Sequence, residues 1–303
     1  MRKRKKRWLR RIIFIFLLGV FLLSAVKLLI VYHGYKTSQK KYSEAAAQFT
    51  RPAAVAADTL PAETQPSYGE NSPAEHNREN GFESDAQPVP KVYAPIMVDF
   101  SDLTEVNGDV VGWIYCEDTV INYPVVWGRD NSYYLERDYR GKPDPCGTIF
   151  IDAKNAKDLS DSNTILYGHH MQDMTMFATL KYWLEQDYYD AHPVMWLLTP
   201  EQDYKIELFS SYVTSADSEA YTIFWEPSSE FDVYLRNVLS LSEVHSEVEI
   251  DGEAQYVVLS TCAYSFYLAR TVLHGKLVPV DSAGGVPKNV LSGNDPLNTE
   301  PIT

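Results

Sequence analysis

The sequence lacks several familiar chemistries. There is no metal-ligand spacing, no phosphate-cradling Gly-Lys loop and no dinucleotide-binding glycine fingerprint. There are no internal repeats. Positive charge is in deficit, with 27 Lys and Arg against 41 Asp and Glu for a net charge of −14, which argues against a general nucleic-acid binder. Cysteine is scarce: an odd total of three leaves at least one thiol unpaired or paired between molecules. What is present is an ordinary globular composition, 45% hydrophobic and 22% charged over 303 residues, which excludes a wholly disordered or collagen-like chain.

The charge deficit is uneven. Residues 1–11 hold eight of the bases and no acid, so the remaining 19 bases face all 41 acids and the rest of the chain carries −22. Between the two parts lies a run of 21 apolar residues, Ile12 to Tyr32, broken only by Lys27. About 20 helical residues cross a hydrocarbon core, and a Lys near the end of a span can snorkel to the headgroups. The run is therefore expected to be a transmembrane anchor. The positive-inside rule keeps the basic stub in the cytoplasm and the acidic body outside, in a single-pass plasma-membrane topology. The competing reading is a cleaved signal peptide. The run is long for that, and its exit, YHGYKTSQKKY, has no small-residue cleavage site.

Residues 33–95 are expected to form a disordered extracellular stalk. Seven of the 17 prolines fall within it, among Ala, Glu, Ser, Thr and Gln, and apolar periodicity vanishes. A coil of about 50 such residues spans on the order of 40 Å. Its start, KKYSEAAAQF, has the composition to prolong the anchor helix briefly. The body covers 96–281. VVGWIYC, TVINYPVVW, GTIFID, NTILYG, VMWLLT, YKIELFSSYV, AQYVVLST and RTVLHGKLVPV read as eight short strands. MTMFATLKYWL and FDVYLRNVLSL read as helices, and FSDLTEV as a third with Ser101 or Asp102 as its cap. Such a pattern suggests a mainly β protein, a closed or nearly closed barrel with a few inserted helices. Residues 282–303 are expected to be a disordered tail.

Cys262 ends a predicted strand behind Ser260 and Thr261. A lone Cys is ordinarily a small buried hydrophobe. Here Arg270 begins the next predicted strand, so an antiparallel pair would bring thiol and guanidinium to one rim. There the cation would stabilise a thiolate or a developing oxyanion. An Arg by itself is ordinarily a solvated surface charge. Gly168-His169-His170 follows a third predicted strand, and a thiol nucleophile needs such a base or cationic partner. Cys116 and Cys146 read as structural, with a bridge between them open. Asp158 and Asp161 read as a solvated loop in preference to a Ca²⁺ site.

Taken together, these residues resemble the class B sortases. The resemblance rests on Gly168-His169, on Leu259-Ser260-Thr261-Cys262 and on Arg270. It extends to FSDLTEVNGDVVGWI, INYPVV, CGTIFID, YGHHMQDMTMF and TCAYSFYLARTVLHGKL, and so covers roughly residues 97–280. It implies an eight-stranded sortase-type β-barrel with an N-terminal helical extension, and a cofactor-free cysteine transpeptidase on the outer face of a Gram-positive membrane. It implies Cys262 as nucleophile, His169 as general acid and base with His170 as the fallback, and Arg270 on the oxyanion and substrate carbonyls. The implied donor is a surface protein with a C-terminal NPxTx-type sorting signal cut after Thr. The implied acceptor is an amine of a lipid II-type peptidoglycan precursor. Ser260, Thr261, Asn131, Leu135 and Tyr221 match positions near the substrate. Ala263 stands where some members have an acid. Two rivals stay open: a pilin polymerase joining subunits through a lysine amine, and a non-catalytic tethered binding module. The stalk has no Asp-Pro-aromatic lid of the kind many pilin-type members carry.

Overall fold

The computed structural model describes residues 2–53, 92–262 and 267–282. The expected tail beyond residue 282 and most of the expected stalk fall outside them.

Helix α1 spans Arg2–Phe49 without a break. From Ile13 it is long and apolar enough to cross a membrane, and its apolar stretch is exposed. The helix does not stop where the apolar run ends. Residues 33–49 continue it, which corrects the stalk boundary expected at residue 33. The cause is a second apolar stripe: Ser38, Tyr42, Ala45 and Phe49, spaced 4, 3 and 4 apart, are all buried against the barrel. Charge then fixes the contact. Lys41 Nζ lies 2.6 Å from Asp144 Oδ2 and 3.3 Å from Asp138 Oδ2, both carboxylates being almost wholly buried. The helix stops before Pro52, which has no backbone N–H to continue it.

Strand β1, Thr50–Pro52, then pairs antiparallel with β2, Ile96–Val98, and Ala53 N donates to Pro95 O at 2.9 Å. The two ends of the intervening segment are therefore side by side. Helix α2, Phe100–Val106, follows. Its cap is Asp99, which accepts from Asp102 N, and not Ser101 or Asp102 as the sequence suggested. Phe100 and Leu103 face inward.

Eight strands close the barrel: β3 Val110–Tyr115, β4 Asn122–Trp127, β5 Ile149–Ile151, β6 Asn163–Tyr167, β7 Val194–Leu198, β8 Asp203–Ser215, β9 Gln255–Cys262 and β10 Ala269–Val280. Each predicted strand is present. The order around the barrel is β10-β8-β7-β3-β4-β5-β6-β9, with β4–β5 and β6–β9 parallel and the other pairs antiparallel. Closure leaves these strands no free edge. Helix α3 is Gln186–Ala191, and α4 is Ser229–Ser240, capped by Ser228 accepting from Phe231 N at 3.1 Å.

The helix expected over 174–184 forms only as a 3-10 segment, Ala178–Leu184. Met174 and Met176 adopt positive φ, 64° and 56°, so residues 171–177 loop back and Phe177 N donates to His169 O at 3.0 Å. Two apolar clusters result. One fills the barrel and extends under α1 and α2; the other lies outside the sheet beneath α4.

His274 on β10 is fully buried in the second cluster. Its ring stacks on Tyr212 at 5.4 Å, and Nε2 lies 3.1 Å from the Tyr212 hydroxyl. Burial drives its pKa down to about 3. The unfolded imidazole, near 6.5, binds a proton first, so stability is intact above that pH and is lost as pH falls toward 3. At about 1.4 kcal/mol per unit, wild type should lose about 3 kcal/mol more than His274→Gln between pH 7 and 4.5. Denaturant unfolding at the two pH values checks this; equal losses would show that His274 does not drive the acid sensitivity.

Candidate active site

The parallel pairing of β6 with β9 sets Tyr167 opposite Ser260, and Gly168 N donates to Ser260 O at 3.1 Å. A side chain at Gly168 would meet Ile149 Cδ1 at 2.6 Å and the Phe177 ring at 2.7 Å, so only glycine lets the chain turn here. The two histidines leave this turn beside the end of β9. His170 Nδ1 donates to the Cys262 carbonyl at 2.7 Å. Burial holds the His170 pKa below its ordinary value, against the opposing pull of that hydrogen bond. His169 Nε2 donates to the Leu135 carbonyl at 2.6 Å.

On the other side of β9, the antiparallel register pairs Cys262 directly with Arg270, and Ser260 with Val272. Directly opposed residues on antiparallel strands share a face. Thiol and guanidinium therefore leave the sheet together, both half-buried, with Arg270 Nη1 donating to Ala269 O at 3.1 Å. Ser260 lies two residues from Cys262 and so faces the same way. Its Oγ is 2.7 Å from the Tyr221 hydroxyl. Burial raises the Tyr221 pKa, while the bond to Ser260 and the Arg270 cation pull it partly back.

Tyr167, the residue before Gly168, and Asp152, which the sequence did not single out, pack beside these groups. Tyr167 stacks on Tyr221 with ring centroids 6.2 Å apart and planes 16° from parallel. Its hydroxyl donates to Asp152 Oδ2 at 2.9 Å. Burial raises the Tyr167 pKa, with Asp152 adding to it and Arg270 opposing it. Tyr167 was visible as the residue before Gly-His, but only the β6–β9 pairing aims it at Ser260's neighbourhood.

The remaining predicted residues divide. Leu135 is half-buried, and its main-chain carbonyl is the acceptor for His169. Asn131 is tied to a loop through both ends of its amide: Nδ2 donates to Asp152 Oδ2 and Oδ1 accepts from Ala153 N, each at 2.8 Å. It supports the Tyr167 hydroxyl through their shared carboxylate. Thr261 alternates to the face opposite Ser260 and Cys262, where its buried Oγ1 finds no hydrogen-bond partner among the described residues. It does not join the others. Ala263 lies outside the described residues.

Cys116 and Cys146 are unbridged and buried. Burial pushes their thiols up to about 12 and about 11. A cavity of about 560 Å³ opens between α1 and the barrel, lined by residues including Tyr42, Tyr123, Cys146 and Met176; Cys262, His169 and Arg270 do not line it. Among the described residues, no group of three or more His, Cys, Asp or Glu could hold a metal ion.

No family model matches the chain. Sortase B of Listeria monocytogenes is 36% identical over 179 residues, covering 58% of this chain and 73% of that protein. Sortase B of Staphylococcus aureus is 33% identical over 183 residues, covering 60% of this chain and 75% of that protein. The Staphylococcus aureus sortase B–substrate complex superposes with a TM-score of 0.57 at 33% identity, over 60% of this chain and 85% of that one.

The three thiols differ in exposure, and this can be read directly. A thiol reagent applied to the folded protein should modify Cys262 alone, with Cys116 and Cys146 labelling only after denaturation. Peptide mapping by mass spectrometry checks it. Native labelling of either buried thiol would contradict the packing described here.

Proposed function

Because the chain belongs to the sortase B family of cysteine transpeptidases, we propose that Cys262 is the nucleophile, His169 the general acid and base, and Arg270 the oxyanion partner. The observation that carries this is the cross-strand pairing of Cys262 with Arg270 beside the Gly168-His169-His170 turn.

The donor is a protein with a C-terminal NPxTx-type sorting signal. The Cys262 thiolate attacks the Thr carbonyl carbon, and the carbonyl electron pair moves onto oxygen. Arg270 receives that charge in a partly desolvated setting, where a fixed cation is worth more than in water. As the C–N bond breaks, the departing amine takes a proton from His169, leaving a thioacyl-enzyme. An acceptor amine of a lipid II-type peptidoglycan precursor then gives a proton to His169 and attacks the thioester. An amide forms and the thiolate is released. The cycle consumes no oxidant and moves one proton each way.

His170 suits this acid role less well than His169. A general acid must be protonated when the amine departs. Burial favours neutral His170. In this reading His170 holds the end of β9, and His169 moves the proton. Tyr221, Tyr167 and Ser260 form a wall beside the thiol on which the signal peptide packs. The Staphylococcus aureus substrate complex supports peptide binding on this fold. The basic stub and apolar helix orient the barrel to the outside of the membrane, facing its wall-linked acceptor.

Cys262→Ala should remove all transfer from a sorting peptide to an amine. Arg270→Ala should lower kcat by about 10²- to 10³-fold, and His169→Ala by about 10²- to 10⁴-fold, each with little change in melting temperature. His170→Ala should retain at least about a tenth of wild-type kcat, losing only a positioning contact. Product mass spectrometry with steady-state kinetics checks all four. Turnover by Cys262→Ala would sink the mechanism, and equal losses at the two histidines would sink the division between them.

A further inference from the structure

A continuous set of contacts runs from the extracellular end of α1 to the ring of His169. It starts at one loop, residues 138–148. Ser38 Oγ donates to Asp144 Oδ1 at 2.5 Å, and Lys41 Nζ donates to Asp144 Oδ2 at 2.6 Å. The Tyr42 hydroxyl donates to the Gly147 carbonyl and lies 3.0 Å from Thr148 Oγ1. Three successive inward residues of one helix face thus grip one five-residue stretch.

That stretch is joined in turn to the backbone of residues 134–136. Asp144 N donates to Glu136 O at 2.9 Å, and Thr148 N donates to Tyr134 O at 3.0 Å. Between them Gly147, at φ +59°, packs so closely that a Cβ would stand 2.5 Å from the Leu135 carbonyl oxygen. That oxygen is the acceptor for His169 Nε2. The absence of a side chain at Gly147 is what lets the Leu135 carbonyl pack against it, and Gly147 is held from behind by Tyr42.

We propose that Tyr42, backed by Ser38 and Lys41, is a positioning residue for His169, setting the ring through Gly147 and the Leu135 carbonyl. The anchor helix is then part of the catalytic unit as well as a tether. Its hydrogen bonds fix which nitrogen of His169 carries the outward proton. With Nε2–H committed to Leu135, Nδ1 is left for the proton traffic. The inference rests on the reading of His169 as the acid and base.

The test uses the full-length chain in lipid nanodiscs. Tyr42→Phe keeps the ring, which packs edge-on against Tyr123 at 5.5 Å, and removes only the hydroxyl. A fall in kcat of about tenfold is expected, with KM for the sorting peptide within about twofold of wild type. The Nε2–H proton resonance of His169 should shift or broaden in the same sample. A purely structural role for Tyr42 would lower the melting temperature without moving that resonance. An unchanged kcat, or a lowered kcat with an unchanged His169 resonance, overturns the proposal. Should Tyr42→Phe fail to fold, Ser38→Ala loosens Asp144 from the outer side and is read in the same two ways. His169→Ala separates the two ideas. Full transfer by that variant would remove His169 from the chemistry, while the resonance in Tyr42→Phe would still report whether Tyr42 sets the ring.

Discussion

Strand β9 has two different neighbours, and most of the functional surface follows from that. Its parallel partner β6 ends at the same rim, so the chain leaving β6 delivers Gly168, His169 and His170 to one flank of Cys262. Its antiparallel partner β10 begins at that rim, so Arg270 falls directly across from the thiol on the other flank. Parallel and antiparallel pairing thus do different jobs at one strand end. The one brings in a residue from far away in sequence; the other brings in a residue eight positions on. Both faces of these strands are buried, so a slip of either neighbour by one residue would exchange the side chains packed inside the barrel with those packed beneath α4.

The second constraint is electrostatic. Asp138 and Asp144 are both buried beneath α1, with Lys41 as their shared cation. Two carboxylates out of water require compensation, and one lysine is supplemented by backbone N–H donors from Arg140, Lys142 and Cys146. Removing the cation from such a cluster costs about 3–5 kcal/mol in comparable sites. The helix is therefore seated by charge as well as by Tyr42, Ala45 and Phe49. Seating it also joins the apolar part of the helix, long enough to cross a membrane, to the barrel through one unbroken α1. Where the chain leaves α1, Thr50–Pro52 pairs with Ile96–Val98, which ties the end of the helix to the start of the body a second time.

Much of the fold was legible because short β-branched runs between Gly, Pro, Asn and Asp leave few alternatives to strands. Strands packed on a common interior tend to close. The helix over 174–184 was misread because its apolar spacing is right for a helix while Met174 and Met176 take positive φ to bring Phe177 back onto His169. A long-range contact overrode local periodicity. The helical reach of residues 33–49 was obscured for a similar reason. Ser38, Tyr42, Ala45 and Phe49 form a stripe that is weakly apolar in composition, and it becomes a buried face only against its partner. Thr261 looked equivalent to Ser260 in sequence, yet strand alternation turns its side chain the other way.

The amino-acid sequence alone determined the apolar helix, the charge asymmetry across it, the eight strands and the likeness that groups Gly168-His169, Cys262 and Arg270. Those are properties of local pattern and of spacing. Only the tertiary structure decided which nitrogen of each histidine is held, that the Leu135 carbonyl meets His169, and that Tyr167 stacks on Tyr221 and donates to Asp152. Only the tertiary structure, too, joined Tyr42 to the Leu135 carbonyl. The physical reason is that hydrogen-bond geometry depends on relative positions within a few tenths of an ångström. Such positions arise from strand register and helix seating between residues as much as 106 apart in the chain.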